Sequence, residues 1–289
     1  MIDNPLVTVL LPVYNGQEYI IEAADSILQQ DYRNFELLLI NDGSKDDTDR
    51  LIRQKLLDDP RVRYVSRENK GLVATLNEGI AMAKGEYIAR MDADDIAHTT
   101  RLSKQVKFLR QNPDVALVGS AYNVVNQKGE LTGKRRPPCR HSLIKPMFMF
   151  GSPMAHPSVM LNKKLALADL YYDSRYIHAE DYELWLRLSL KYKLANISDI
   201  CLDYRVLPQS ISRRYTNEQQ QSVVKAQLEH LYYSEHESSM SKHAAVLLGF
   251  QSANVIRKTK AFCYAIRLLK VQFSVLIAFG YLVRHAFRK

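Results

Sequence analysis

Four times in its first hundred residues, this chain runs an apolar stretch into polar residues and then into a helix-spaced segment. Leu6 to Val13 ends at Pro12-Val13-Tyr14-Asn15-Gly16, and Ile20, Ile21, Ala24, Ile27 and Leu28 follow at helical spacing between Glu18 and Gln30. Phe35 to Ile40 ends in Asn41-Asp42-Gly43-Ser44, and Asp46, Asp47 and Thr48 open a helix through Leu57. Arg61 to Val65 leads to a helix over Leu72 to Ala83. A turn at Gly85-Glu86 then starts the strand Tyr87-Ile88-Ala89-Arg90, which breaks into Asp92-Ala93-Asp94-Asp95. Such alternation predicts a mostly parallel sheet with helices on both faces. Asn15, Asp42, Asp92 and Asp94 then fall at strand C-termini along one sheet edge, where open α/β sheets bind ligands.

The acidic cluster is the most chemical of these strand ends. Downstream, Thr99 or Thr100 is placed to cap a helix through Leu102, Val106 and Leu109 to Asn112-Pro113. The carboxylates therefore sit between strand and helix, in a loop. Alternating carboxylates suit a hard divalent cation, Mg²⁺ or Mn²⁺, which takes oxygen ligands and holds phosphates. Ordinary loop acidity is the plain alternative.

The second half is less regular. Val115 to Tyr122 reads as a strand, Gln127-Lys128-Gly129-Glu130 as a turn, and Lys134 to Arg140 as a basic loop. Tyr182 to Leu190 reads as a helix with Leu184, Trp185 and Leu188 on its apolar side, and Asn217 onward is helical with few breakers. A boundary near residue 215 divides a 1–215 domain from a helical 216–289 region. Cys139, Cys201 and Cys263 are odd in number and lack CxxC spacing, which favours reduced thiols in a cytosolic compartment. No basic, apolar leader opens the sequence, so no signal peptide is expected.

Several ordered motifs carry a resemblance. Val9 to Gly16, Asn41 to Ser44, Asn69 to Gly71 and Gly85 to Asp95 are similar to the nucleotide-sugar half of a glycosyltransferase family 2 enzyme. His156-Pro157-Ser158-Val159-Met160, Ala179 to Trp185 and Tyr204-Arg205 resemble its acceptor half, and together the motifs span about residues 5 to 215. The resemblance implies an α/β fold of the GT-A type: a mostly parallel central sheet flanked by helices, Rossmann-like in its nucleotide-sugar half, with a helical C-terminal extension. It also implies inverting transfer from a nucleotide-diphosphate sugar, a UDP-sugar by preference, to a hydroxyl of a glycan or lipid-linked acceptor in surface polysaccharide synthesis.

By the same resemblance Pro12, Tyr14 and Asn15 line the base pocket, and Asp42 accepts an N–H of the base. A turn-forming Asp before Gly43 is the other reading of Asp42. Asp46 and Asp47 are better explained as helix N-terminal residues. Asp92 tends toward the ribose and Asp94 toward the metal; Asp95 assists or caps the loop. Arg90, a charge in an apolar strand, is expected to pair with a neighbouring carboxylate, with a phosphate contact as the other reading. Asp181 is the candidate general base, with Glu180 orienting the acceptor or capping the helix. His156 is either a satisfied histidine or an acceptor contact.

One position departs from the resembling pattern. Leu207 stands where related sequences often carry a histidine after the Tyr-Arg pair, and leucine cannot ligate. Either Asp94, the diphosphate and water then hold the metal, or it is bound weakly. Arg205, with Ser210, Ser212 and Arg213 or Arg214 nearby, is a candidate phosphate contact, though Arg213-Arg214 reads equally as a solvated basic pair.

The net charge of +9 is local. Gln251 to Lys289 carries eight Lys or Arg and no acidic residue, so the preceding body is nearly neutral. That distribution argues against nucleic-acid binding. Basic residues flanking Val271, Phe273, Leu276, Phe279 and Leu282 fit peripheral contact with the inner face of the cytoplasmic membrane; packing on protein is the alternative. Two rivals remain. A sugar-phosphate nucleotidyltransferase would carry a glycine-rich, arginine-containing loop after the first strand, which Pro12 to Gln17 is not. A non-catalytic nucleotide-sugar-binding or scaffold protein at the membrane is the other.

Overall fold

A computed structural model describes residues 4–148, 150–207, 216–227 and 229–230. The basic tail from Gln251, Cys263 and the Ser210 to Arg214 segment lie outside the described residues.

Strands β1 (Val7–Val13) and β2 (Phe35–Asn41) are buried at every residue. Their alternate side chains divide between two cores. Leu10, Leu38 and Ile40 face one, with Leu76 and Ile80 of α3 (Leu72–Met82). Val9, Leu11, Leu37 and Leu39 face the other, with Ile20 and Ile27 of α1 (Ile20–Leu28). Two covered faces explain why these strands read as unbroken apolar runs rather than alternating ones. Gly79 lets α3 approach the sheet, because a β-carbon there would lie 2.2 Å from a Leu10 methyl.

The order β3-β2-β1-β4 is parallel throughout, with β3 (Val62–Ser66) at the edge and β4 (Tyr87–Arg90) on the far side of β1. Helix α2 (Thr48–Lys55) links β2 to β3. The chain winds one way from β1 to β3, then crosses to β4 on the other side. The crevice between the C-termini of β1 and β4 is therefore the topological switch point at which such sheets bind ligands.

Beyond β4 the sheet becomes mixed. Strand β8 (Met160–Asn162) runs antiparallel to both β4 and β6 (Val115–Val125). Strand β9 (Lys193–Arg205) lies parallel to β6, and β5 (Ile96–Ala97) closes on its far end in the register Ile96↔Asp203. β7 (Leu131–Arg135) pairs with β6.

Sequence periodicity places no strand over Lys193–Arg205 or Met160–Asn162. The first is interrupted by Asn196, Ser198 and Asp199, and its pairing with β6 slips register around Ser120–Tyr122. The second has only three residues. Neither carries a clean period of two.

Helix α4 (Arg101–Gln111) starts after Thr100, whose side chain makes no capping bond, contrary to the sequence expectation. Short helices α5 (His141–Met147) and α6 (Lys163–Ala166) precede α7 (Glu180–Lys191). Glu180 and Asp181 are the first two residues of α7 rather than residues preceding it. Helix α8 (Thr216–Gln227) packs on α7 and adds Ala226 to the core shared with Leu184, Trp185 and Leu188. Among the described residues no helix is long and apolar enough to cross a membrane.

Candidate active site

The loops after β1 and β2 are laced together at the crevice. Asn15, at φ 51° in the left-handed region, accepts the Lys45 N–H on its side chain at 2.8 Å, and its own N–H donates to the Ser44 hydroxyl at 2.9 Å. The Gly16 N–H donates to the Thr48 hydroxyl at 2.9 Å. The Asp46 carboxylate accepts from the Gln17 N–H and from the Thr48 N–H, each at 3.1 Å. Burial would raise the Asp46 carboxyl, but bonds from Thr48 and Gln17 outweigh it and hold it below its ordinary range. Asp46 is thus more than a helix N-terminal residue; it ties two loops. Asp47 pairs instead with Arg50 and makes no side-chain cap. Lacing of this kind is invisible to periodicity, because its partners lie about thirty positions apart.

Asp42 is buried at the end of β2 and accepts the backbone N–H groups of Lys70 and Gly71 at 2.8 and 3.0 Å. It also ion-pairs with Arg67. The residue therefore organises the Asn69-Lys70-Gly71 turn beside the crevice, while Asn69 donates to its carbonyl at 2.8 Å. Gly43 has φ 74°, and a β-carbon there would fall 2.6 Å from the Asn69 nitrogen. Tyr14 is 48% exposed at the crevice mouth, whereas Pro12 is a buried residue of β1 opposite Ile40.

Asp92, Asp94 and Asp95 converge just past β4, each offering a carboxylate oxygen within 4.8 Å of the others. Burial, then the neighbouring Asp92, pushes the Asp94 carboxyl up to about 6. Burial, with Asp92 and Asp94, raises Asp95 well above its ordinary value. One Asp95 oxygen accepts the Arg205 N–H at 2.8 Å, and the other is buried without a partner. Crowded carboxylates with an orphaned oxygen form a donor set that fits a hard divalent cation.

Two arginines hold this loop from behind. Arg205 donates to the Asp94 carbonyl at 2.8 Å, the Gln127 carbonyl at 2.9 Å and Glu22 at 2.7 Å, and lies over the Tyr19 ring. Its guanidinium is committed to protein partners rather than held out toward the crevice. Leu207 follows in a non-helical segment two residues on. Arg101, fully buried on α4, donates to the carbonyls of Arg90 and Val159 at 2.6 and 3.3 Å. Burial lowers its pKa to about 10.

Asp181 reaches the same edge from α7. It accepts its neighbour Tyr182's N–H at 2.7 Å. Burial and the adjacent Glu180 push its carboxyl up to about 7. Arg90 joins the two halves. Its buried guanidinium ion-pairs with Asp92, and its positive charge favours the ionised forms of both Asp94 and Asp181. The Arg90 Nε is buried without a partner. His156 meets the Tyr172 hydroxyl at 2.8 Å and lies edge-on to Trp185; burial, aided by Arg90, drives its pKa well below the ordinary value. It is a neutral, hydrogen-bonded histidine.

The family model for Glycosyl transferase family 2 matches residues 8–171. An uncharacterized glycosyltransferase of Haemophilus influenzae is 32% identical over 240 residues, which cover 79% of this chain and 74% of the relative. The Escherichia coli O-antigen biosynthesis glycosyltransferase WbnJ is 32% identical over 205 residues, 70% of this chain and 80% of the relative. Among solved structures, S. aureus TarS 1–349 in complex with UDP-GlcNAc superposes with a TM-score of 0.66 at 18% identity, covering 91% of this chain and 81% of that one. The Pyrobaculum calidifontis mannosyltransferase PcManGT, in complex with GDP-Man and Mn²⁺, gives 0.66 at 17% identity over 99% and 82%. With its crevice, its acidic strand end and this match across more than half its length, the chain belongs to glycosyltransferase family 2, an enzyme class of GT-A fold.

Proposed function

We propose that this enzyme moves a sugar from a UDP-sugar to a hydroxyl of a glycan or lipid-linked acceptor, with inversion, in the building of a surface polysaccharide. The observation that carries the reading is the placement of Arg90: one buried cation pairs with Asp92, and its charge favours the ionised forms of Asp94 and Asp181, which supports donor-phosphate and acceptor-proton chemistry at one sheet edge. The laced loops at Asn15 and Asp46, with Asp42 and the exposed Tyr14, form the walls for the nucleoside. Asp92, which pairs with Arg90, is assigned to the ribose by the family resemblance. Relatives support the donor class, since TarS is seen with UDP-GlcNAc and PcManGT with GDP-Man and Mn²⁺. WbnJ, an O-antigen enzyme, supports the polysaccharide setting.

In the transfer, the acceptor oxygen forms a bond to the anomeric carbon as the bond from that carbon to the diphosphate breaks. Asp181 takes the hydroxyl proton, and nucleoside diphosphate leaves with the bonding pair. A carboxyl held near 7 is matched to that task at neutral pH. Asp94, with Asp92 and Asp95, would hold Mg²⁺ or Mn²⁺, which when bound neutralises charge growing on the departing diphosphate. Arg205 anchors the Asp94 segment from the protein side. The basic, apolar stretch from Gln251 to Lys289 extends the reading to location, as a peripheral contact with an anionic membrane.

A panel of UDP-glucose, UDP-galactose, UDP-GlcNAc and GDP-mannose, each with Mn²⁺ or Mg²⁺, tests this by release of nucleoside diphosphate. Turnover of a UDP-sugar is the expected result. Turnover of GDP-mannose alone overturns the choice of nucleotide, and turnover of none overturns the catalytic reading.

A further inference from the structure

Helix α7 begins from an unusual turn. His178, three residues before Asp181, has φ 61°, in the left-handed region where a side chain with a β-carbon is strained. The turn is tightened by the Ala179 N–H donating to the Tyr176 carbonyl at 3.0 Å. Strain of this kind persists only where neighbours over-determine it. Here the neighbours are the Glu180 carboxylate, which takes the His178 N–H, and α8, which reaches back from beyond β9 to the carbonyl side.

The contacts from α8 and the residues just after it concentrate around this turn. Gln219 donates its side-chain amide to the His178 carbonyl at 2.8 Å. Gln227 donates to the Phe148 carbonyl and the Tyr182 hydroxyl, each at 2.8 Å. Lys225 lies over the Tyr176 ring, whose hydroxyl bonds Glu229. His230 meets Glu183 at 2.7 Å on the first turn of α7. Of these groups, Gln219 alone bonds the backbone of the strained residue itself, and it does so from a partly exposed position on α8.

We propose that Gln219 is a positioning residue for Asp181, holding the left-handed turn at His178 from which the first residues of α7 are aimed at the crevice. The inference rests on Asp181 as the general base. Gln219 does not touch the reacting atoms. Its role is to keep Glu180 and Asp181 at one orientation relative to Arg90, because a base displaced by about 1 Å from its acceptor costs on the order of a hundredfold in rate.

The test uses the full chain and the UDP-sugar turned over in the panel above, read as release of UDP. Gln219→Met removes the donor while keeping volume and helix propensity, and the packing of α8 runs through Ser222, Val223 and Ala226 instead. The expected result is a fall in kcat of roughly tenfold, with the donor KM changed less than about twofold and the melting temperature nearly unmoved. Glycine adopts φ 61° without strain, so in a His178→Gly background the same substitution should cost much less. Gln219→Asn, whose amide falls one carbon short, is the second variant and should also lose kcat. An unchanged kcat in both Gln219 variants, or an equal loss with and without His178→Gly, overturns the proposal. Asp181→Asn run in parallel separates the two readings. Full activity there removes the base itself, whereas loss there with unchanged kcat in Gln219→Met removes only the role of Gln219.

Discussion

The backbone N–H of Arg205 donates to the Asp95 carboxylate at 2.8 Å, across 110 positions of sequence. The same residue's guanidinium takes the carbonyl of Asp94. The last strand of the sheet therefore braces the acidic loop that follows the fourth.

Arg205→Lys should loosen that brace. Lysine cannot serve three acceptors in one plane, so bonds to Asp94, Gln127 and Glu22 are lost together. Because Glu22 is largely exposed, the ion pair itself contributes little. The unsatisfied carbonyls set the cost, about 1–3 kcal/mol. Urea unfolding should show a lower midpoint at unchanged slope, with weaker UDP binding. An unaltered midpoint would leave Arg205 free for substrate.

Asp94→Asn keeps the shape of the cluster and removes a charge. UDP affinity in the presence of Mn²⁺ should fall by roughly tenfold or more, while the weaker affinity measured with EDTA should barely change. Calorimetric titration of UDP with and without Mn²⁺ reads both, and equal losses under the two conditions would contradict a metal role.

Asp181→Asn should abolish transfer and leave UDP affinity within about twofold. In the wild-type enzyme the carboxyl, raised by burial and by Glu180, must ionise to act, so kcat/KM should fall about tenfold per pH unit below about 7. Stability runs the opposite way. A folded-state pKa above the unfolded value of about 3.9 gives a contribution fully present below that pH and lost as pH rises through about 7. Asp181→Asn should therefore melt above wild type at pH 8 and level with it near pH 4. A melting difference independent of pH would rule out the raised carboxyl.

Asp46→Ala should unlace the two crevice loops. It frees the Gln17 N–H and the Thr48 hydroxyl and N–H, with a loss of about 1 kcal/mol in stability. The larger effect is expected in UDP affinity, since the Asp46 bridge between Gln17 and Thr48 is gone and only the Gly16–Thr48 bond still ties the two loops. An affinity equal to wild type would mean that the nucleoside does not use this wall.

Much of the β1 to β4 half is legible in the sequence. Apolar runs at β1, β2 and β4, with helix-spaced segments between them, determine a parallel sheet, because strands covered on both faces must be apolar throughout. Once the sheet is parallel, chain direction alone sends Asn15, Asp42, Asp92 and Asp94 to one edge. The pairing of Arg90 with a neighbouring carboxylate also followed from a charge lodged in an apolar strand. What the sequence could not decide are the relations whose partners are far apart in the chain: β9 delivering Arg205 to Asp94, Asp46 lacing two loops, and Gln219 meeting His178. Periodicity reports on a residue's own segment; contacts between segments are chosen by how the sheet closes and the helices dock. The tertiary structure alone therefore decided that Arg90, paired with Asp92, also lies near enough to Asp181 for its charge to favour the ionised carboxylate, since a cation on one element acts on a carboxylate of another only after folding brings them together.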